Sequence, residues 1–159
     1  MSIPQTLIDR LSAGKVIPFI GTGISMSVRD KDTGKPIFPS WETLLAEAAT
    51  RLVSEGKTPE AKLVQSLLEI DPPDYLDAAK RACSALGATW FDFLKAKFDR
   101  PRECVDDESL NLAKAVWKLG SKLLITTNYD RVLRWVCPQS DDLRYWDIEA
   151  PAEQVTALR

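Results

Sequence analysis

Histidine is absent from all 159 residues, and this absence excludes more chemistry than any other feature of the composition. Without an imidazole, these residues form no Ser-His-Asp triad, no Cys-His dyad and no histidine-ligated zinc site. Cysteine is scarce too, and Cys83, Cys104 and Cys137 are too widely spaced for a Cys-x-x-Cys pair or a disulfide framework. We expect reduced thiols, as in a reducing compartment, and no bound metal.

Net charge and long apolar runs are lacking as well. Lys and Arg number 21 against 23 Asp and Glu, so a formal net charge of −2 offers no general attraction for nucleic acid. No window approaches the roughly 20 apolar residues that a membrane-spanning helix requires. Asp9 and Arg10 interrupt the stretch where a signal peptide would be apolar. We therefore expect a cytoplasmic protein that binds neither a membrane nor, through this segment, nucleic acid.

Two short apolar runs have the composition of buried parallel strands. They occupy residues 16–20 and 123–127, with Pro18 counting against a central strand because proline has no N–H to donate. Residues 40–120 between them carry apolar positions at the helical period. The sequence therefore predicts an α/β fold in which a mostly helical insertion follows the first strand of a partial, Rossmann-like parallel sheet.

Helices are also predicted at both ends of this arrangement. The first covers residues 4–12, and the first helix of the insertion follows Ser40, a good N-cap. Another helix follows the second strand and stops at Pro138, and the tail has a strand pattern near 143–146 and a helix start at 151. Most of the five tryptophans lie on apolar helical faces, so we expect them in the core rather than at a ring-stacking surface.

A glycine-rich turn, residues 21–25, follows the first predicted strand directly. Gly21 and Gly23 would let the backbone approach a ligand closely, and backbone N–H groups in such a turn suit a diphosphate. Ser25 adds a hydroxyl, but Met26 stands where the Gly-x-Gly-x-x-Gly fingerprint has its third glycine. The turn therefore predicts a nucleotide site, with an ordinary strand-to-helix turn as the alternative.

A second polar turn follows the second predicted strand and contains Thr127, Asn128 and Asp130. Ligands of open α/β sheets bind beyond the carboxyl ends of the strands, so both turns are expected to face one crevice. Asn128 offers a donor and an acceptor to a ribose hydroxyl or a water, and Asp130 offers a carboxylate. Alternatively, Asn128 is only a turn residue and Asp130 caps the next helix.

Three motifs together resemble the sirtuin family. Residues 16–25 resemble its Gly-Ala-Gly-Ile-Ser nucleotide loop, with Thr22 in place of alanine. Residues 39–45 are similar to the Pro-x-Trp-x-x-Leu-Leu helix of divergent bacterial sirtuins. Residues 124–130 resemble the Thr-Thr-Asn-Tyr-Asp motif of these relatives, where deacylating sirtuins have Thr-Gln-Asn-Ile-Asp. The motifs agree in order and spacing with the family and cover most of the chain.

The resemblance implies that residues 1–159 are the N-terminal part of a Rossmann-like domain that binds NAD. The divergent relatives are anti-phage effectors of abortive infection, and they hydrolyse NAD to nicotinamide and ADP-ribose. A sensor, fused or separate, such as a short Argonaute or an oligomerising ATPase, is the implied partner, and a homo-oligomer is compatible with it. As catalytic residues, Asn128 would hold the nicotinamide ribose or the attacking water, and Asp130 would support its loop. The implied NAD-binding residues are Gly21, Thr22, Gly23, Ile24, Ser25 and Thr127.

Two departures from the family pattern bear on activity. Deacylating sirtuins hold zinc on four cysteines, which this chain lacks, so the resemblance favours the hydrolase branch. The family's catalytic histidine should follow the Asn-Tyr-Asp motif, but the chain ends without one. Because such a group contributes about 10²–10⁴-fold, the isolated chain is expected to be feeble or inactive. One alternative is a non-catalytic module that binds NAD or ADP-ribose as a regulatory ligand, and another is a helical interaction domain.

Overall fold

The chain begins with a helix and a short strand, and a second strand follows only after a long helical segment. The computed structural model describes residues 3–138, so the predicted strand near 143–146 and the helix from 151 lie outside the described residues. No helix within 3–138 has the length and apolar character needed to cross a membrane. The elements in chain order are α1 (Gln5–Ser12), β1 (Phe19–Ile20), α2 (Gly23–Met26), α3 (Trp41–Ser54), α4 (Thr58–Glu69), α5 (Tyr75–Leu86), α6 (Thr89–Phe98), α7 (Asn111–Trp117), β2 (Ile125–Thr126) and α8 (Val132–Trp135), with 3-10 turns at Arg102–Cys104 and Glu108–Leu110.

The two strands pair in parallel, as the sequence predicts, and the protein is mixed α/β and mostly helical. Phe19 lies opposite Ile125, and the pairing extends backwards because the Ile125 N–H donates to the carbonyl oxygen of Pro18 at 3.0 Å. Both strands are shorter than predicted. Pro18 can pair only through its carbonyl, and no third strand extends the ladder within residues 3–138.

The prediction that both strands are buried is correct only for Ile20. Phe19 is 66% exposed, Ile125 is 41% exposed, and Thr126 is exposed as well. Side chains alternate between the two faces of a strand, so Phe19 and its register partner Ile125 share one exposed face of the sheet. On the other face, Ile20 packs into a hydrophobic core.

Helices α3 to α6, which lie between the two strands in the sequence, form one hydrophobic cluster. The Ser40 hydroxyl caps α3 by accepting from the Thr43 N–H at 3.1 Å, and the Asp74 carboxylate caps α5 by accepting from the Asp77 N–H at 3.0 Å. The apolar faces that follow these caps meet in the cluster, where Leu45 is fully buried. This cluster supports the first turn of α3 and the end of α6, which both reach the site.

A second hydrophobic cluster lies beneath the sheet and supports both polar turns. Val28, Leu110 and Val132 are its most completely buried members, contributed by the segment after α2, a 3-10 turn and α8. Phe98, at the end of α6, packs against both clusters and so joins the helical segment to the sheet. The site is thereby built on two packed cores.

Candidate functional site

The turns that follow β1 and β2 lie side by side at the carboxyl edge of the sheet, as the sequence predicts. Parallel pairing ends both strands at this edge, and one hydroxyl joins the turns. The Thr126 hydroxyl donates to the carbonyl oxygen of Ile20 at 3.0 Å and accepts from the backbone N–H of Asn128 at 3.1 Å. The Thr126 side chain therefore links the end of β1, where the glycine turn begins, to the polar turn that follows β2.

Four residues of the two turns form a hydrogen-bonded set, which we call the Ser25 network: Gly21, Ser25, Asn128 and Asp130. The Ser25 hydroxyl, on a residue only 3% exposed, donates to Oδ2 of Asp130 at 2.5 Å. The hydroxyl oxygen of Ser25 also accepts from Nδ2 of Asn128 at 2.8 Å. Nδ2 also donates to the carbonyl oxygen of Gly21 at 3.0 Å. The network thus connects residues about a hundred positions apart in the chain.

Asp130 uses both carboxylate oxygens within the protein. Oδ2 accepts from Ser25, and Oδ1 accepts from the Val132 N–H at 2.9 Å, at the start of α8. The alternative in which Asp130 serves the following helix is therefore also realised. A carboxylate held by two donors acts here as a fixed acceptor that positions its neighbours.

The carboxamide oxygen of Asn128 is the one buried acceptor of the Ser25 network without a partner. Oδ1 is enclosed but accepts no hydrogen bond from any residue within 3–138. Leaving such a group unsatisfied costs about 1–3 kcal/mol, so a donor on a ligand would recover that free energy. Asn128 can therefore hold a hydroxyl, a water or an amide N–H.

A cleft lies beside the Ser25 network, and both polar and aromatic residues line it. It contains about 360 Å³ of space, including its open mouth. Trp41 is 38% exposed and Tyr129 is 55% exposed, and the Tyr129 ring lies 5.6 Å from that of Phe98 between centroids. The lining includes one carboxylate and, among the described residues, no Lys or Arg. The lining residues are Thr22, Ser25, Pro39, Ser40, Trp41, Leu44, Phe98, Thr127, Asn128, Tyr129 and Asp130.

The predicted NAD-binding residues divide into those at the cleft and those away from it. Thr22, Ser25 and Thr127 line the cleft, and Gly21 takes part through its carbonyl oxygen. Ile24 instead packs in the second hydrophobic cluster, at 8% exposure.

The hydroxyl of Ser25, which the resemblance implies would contact a diphosphate, donates to Asp130 and accepts from Asn128. Helix α2, which starts at Gly23, has only four residues and so contributes little dipole to an anion. The turn does run from a strand into a helix, as its alternative interpretation predicts.

Packing and backbone conformation do not require glycine at Gly21 or Gly23. An added Cβ at either position would meet no atom within 4 Å, and neither residue has a positive φ. By contrast, Gly34 has φ +67°, a conformation that favours glycine. The space around Gly21 and Gly23 is therefore open, and the residue between them, Thr22, lines the cleft.

The aromatic side of the cleft is what sequence reasoning missed. Trp90 is buried as expected, but Trp41 directly follows the N-cap of α3 and keeps its ring at the cleft. A tryptophan in the first turn of a helix, directly after a proline and a cap, was the signal available. Tyr129 stood within the polar turn and gave no separate signal.

Comparisons with known proteins assign no family to the chain. No family model matches it, and searches of curated proteins and of solved structures gave no match. The function therefore has to be argued from the site.

Proposed function

We propose that the cleft binds NAD and that the protein to which this chain belongs cleaves NAD to nicotinamide and ADP-ribose. The observation that carries the proposal is the buried, unpaired Oδ1 of Asn128 at the meeting point of two strand ends. A ribose hydroxyl is a donor of the kind this acceptor lacks. The motif resemblance to divergent sirtuins supplies the identity of the dinucleotide and a role in anti-phage defence with a sensor partner.

The glycine turn supports the proposal independently of Asn128. Gly21 and Gly23 are dispensable for packing and conformation, yet both are bonded to Thr22, which lines the cleft. A ligand that lies against the backbone explains glycine at both positions, because any side chain there would occupy the ligand's space.

The cleft's electrostatics support placing the nicotinamide ring there. Oxidised nicotinamide carries a positive charge, and cations bind favourably over the faces of tryptophan and tyrosine. Trp41, Tyr129 and Phe98 supply the rings, and Asp130 supplies the only charged side chain that residues 3–138 contribute to the lining. A phosphate group would find no cationic side chain among these lining residues.

The reaction breaks the bond between nicotinamide and ribose, and the cationic pyridinium is a competent leaving group. In this proposal Asn128 orients the ribose or the attacking water, and the protein stabilises the developing positive charge on the sugar. Asp130 holds Ser25 and α8 with its two oxygens, so it acts as a positioning group rather than as a free base. The residue that accepts the water's proton is not among these side chains.

Detection of nicotinamide by chromatography tests the hydrolase proposal. The 159-residue chain incubated with NAD should release nicotinamide slowly, and Asn128→Ala should reduce that release to the level of buffer alone. Ser27→Ala is the matched control, because this nearby hydroxyl bonds to the carbonyl of Ile24 and does not line the cleft. Release that is unchanged in Asn128→Ala contradicts the site assignment.

A second candidate function is a regulatory module that binds NAD or ADP-ribose without cleaving it. The observation that favours it is that both oxygens of Asp130, the one carboxylate that the described residues contribute to the cleft, already accept hydrogen bonds, in a chain without histidine. It predicts saturable binding of either ligand and no nicotinamide release. Release by the wild-type chain that depends on Asn128 rules it out.

A further inference from the structure

We infer that Ser25 is a positioning residue that fixes the Asn128 carboxamide so that only its oxygen remains for a ligand. The site then selects hydrogen-bond donors on the ligand at this point and rejects groups that can only accept. The positioning role of Ser25 follows from hydrogen bonds within the protein and needs no assumption about the ligand. Only the identity of the donor, a ribose hydroxyl, rests on the proposed function.

The hydrogen atoms of the Asn128 carboxamide are both engaged within the protein. An asparagine side chain has two N–H donors on nitrogen and acceptor positions on oxygen. Both donors of Asn128 are used, one by the carbonyl oxygen of Gly21 at 3.0 Å and one by the Ser25 hydroxyl at 2.8 Å. The oxygen is the only group of this side chain left for a ligand.

Two groups that can only accept enforce this orientation. The carbonyl of Gly21 has no hydrogen to give, so it requires nitrogen rather than oxygen on the facing side of the carboxamide. The carboxylate of Asp130 also accepts, and it takes the single hydrogen of the Ser25 hydroxyl. Ser25 then has only lone pairs to offer Asn128, so it must face Nδ2. Because Ser25 donates to Asp130, its oxygen can only accept from Asn128, and the carboxamide nitrogen must face it.

The consequence is a selectivity that the Ser25 hydroxyl creates without touching the ligand. A hydroxyl, a water or an amide N–H on the ligand can bond to Oδ1, whereas a phosphate or carboxylate oxygen would meet another acceptor. If the carboxamide turned over, the selectivity would reverse. The Gly21 carbonyl, and Ser25 held by Asp130, together prevent that reversal.

Nuclear magnetic resonance of the Asn128 side chain tests the positioning without any ligand. In wild type, both carboxamide hydrogens are bonded, so both ¹H–¹⁵N signals should be distinct and exchange slowly with water. Ser25→Ala should shift one signal and speed its exchange at least tenfold. Ser27→Ala, the matched control, should leave both signals unchanged.

Asp130→Asn is the second variant, because it keeps the shape of the side chain if Ser25→Ala fails to fold. Its amide presents oxygen to the Val132 N–H and a donor to Ser25, which removes the acceptor that fixes the hydroxyl. The Asn128 signals should again shift or split into two orientations. Unchanged Asn128 signals in whichever of the two variants folds overturn the inference.

Nicotinamide riboside and its 2′- and 3′-deoxy analogues test the ligand class. Loss of the hydroxyl that bonds to Oδ1 should weaken binding to wild type by about 2- to 12-fold and binding to Ser25→Ala by less. Equal affinity of all three ribosides for wild type overturns the hydroxyl as the selected donor. Failure of every riboside and of NAD to bind wild type overturns the proposed function, while the resonance experiment still decides the role of Ser25.

Discussion

Gly23→Ala should stabilise the fold and weaken NAD binding, a combination that a purely structural glycine would not give. Gly23 is the first residue of α2, its φ is not positive, and a Cβ would meet no atom within 4 Å. Alanine in such a position reduces the freedom of the unfolded chain and favours folding by about 0.4–1 kcal/mol. For a chain of this size, that corresponds to a rise in Tm of about 1–4 °C.

Binding should change in the opposite direction, because the new methyl group fills space that the ligand needs. A loss of tenfold in affinity, about 1.4 kcal/mol, is the smallest effect we expect from displacing a ligand off the backbone. Thermal unfolding gives the stability, and isothermal titration calorimetry with NAD gives the affinity. Both measurements use the same purified chain.

Gly34→Ala is the matched control and should show the reverse pattern. Gly34 has φ +67° and does not line the cleft, so alanine there strains the backbone by about 1–2 kcal/mol. Its Tm should fall while its affinity for NAD stays within twofold of wild type. If Gly23→Ala binds NAD as tightly as wild type does, the reasoning from the bare backbone is refuted.

Three further predictions concern the aromatic wall, the core and acid stability. Trp41→Leu should weaken binding of the 1-methylnicotinamide cation about 2- to 5-fold by calorimetry, while Trp41→Phe keeps most of the affinity; equal binding by all three proteins contradicts a cation–π role. Leu45→Ala, at a fully buried position, should lower the free energy of unfolding in urea by about 2–5 kcal/mol, against less than about 0.5 kcal/mol for Leu76→Ala at 84% exposure. The backbone N–H and hydroxyl of Thr33 hold the pKa of the Asp30 carboxyl below its ordinary value of 3.8. These hydrogen bonds therefore stabilise the fold above that pH, and the stabilisation is lost as the pH falls through the pKa of Asp30 in the folded state. Wild type should therefore be more stable than Asp30→Asn near pH 7 and converge with it in acid; a difference in unfolding free energy that persists at the lowest pH contradicts this.

Local signals in the sequence predict the helical part of the fold well. Ser40 as an N-cap and the apolar period after it predict α3, and Gly56, with φ +78°, follows its end. Such signals depend on neighbours within one or two helical turns, so the rest of the fold does not alter them. The pairing of the two strands in parallel was also predictable, because parallel strands need a crossover connection and the long helical segment between these strands can supply it.

The lengths and burial of the strands were not predictable from local pattern. Phe19 and Ile125 have the apolar character of core residues, yet their shared face is exposed. Burial of a sheet face depends on what packs against it, and residues within one strand carry no information about that. Pro18 was a correct warning that pairing would be limited at this strand.

The residues of the candidate site were predictable from the sequence, but the hydrogen bonds between them were not. The sequence places Ser25, Asn128 and Asp130 after strand ends, and the structure brings them together. The sequence does not reveal that Ser25 donates to Asp130 across 105 positions, since this bond depends on the register of β1 with β2. The directions of the hydrogen bonds follow only from the assembled network. They leave the carboxamide oxygen of Asn128 as an acceptor for a ligand.

The central claim is that the cleft beside Asn128 binds NAD, and isothermal titration calorimetry tests it most directly. NAD titrated into the wild-type chain should give saturable binding at one site per chain. Asn128→Ala should bind at least tenfold more weakly, and Ser27→Ala should bind as wild type does. Absence of binding to the wild-type chain, or equal binding by Asn128→Ala, would contradict the account.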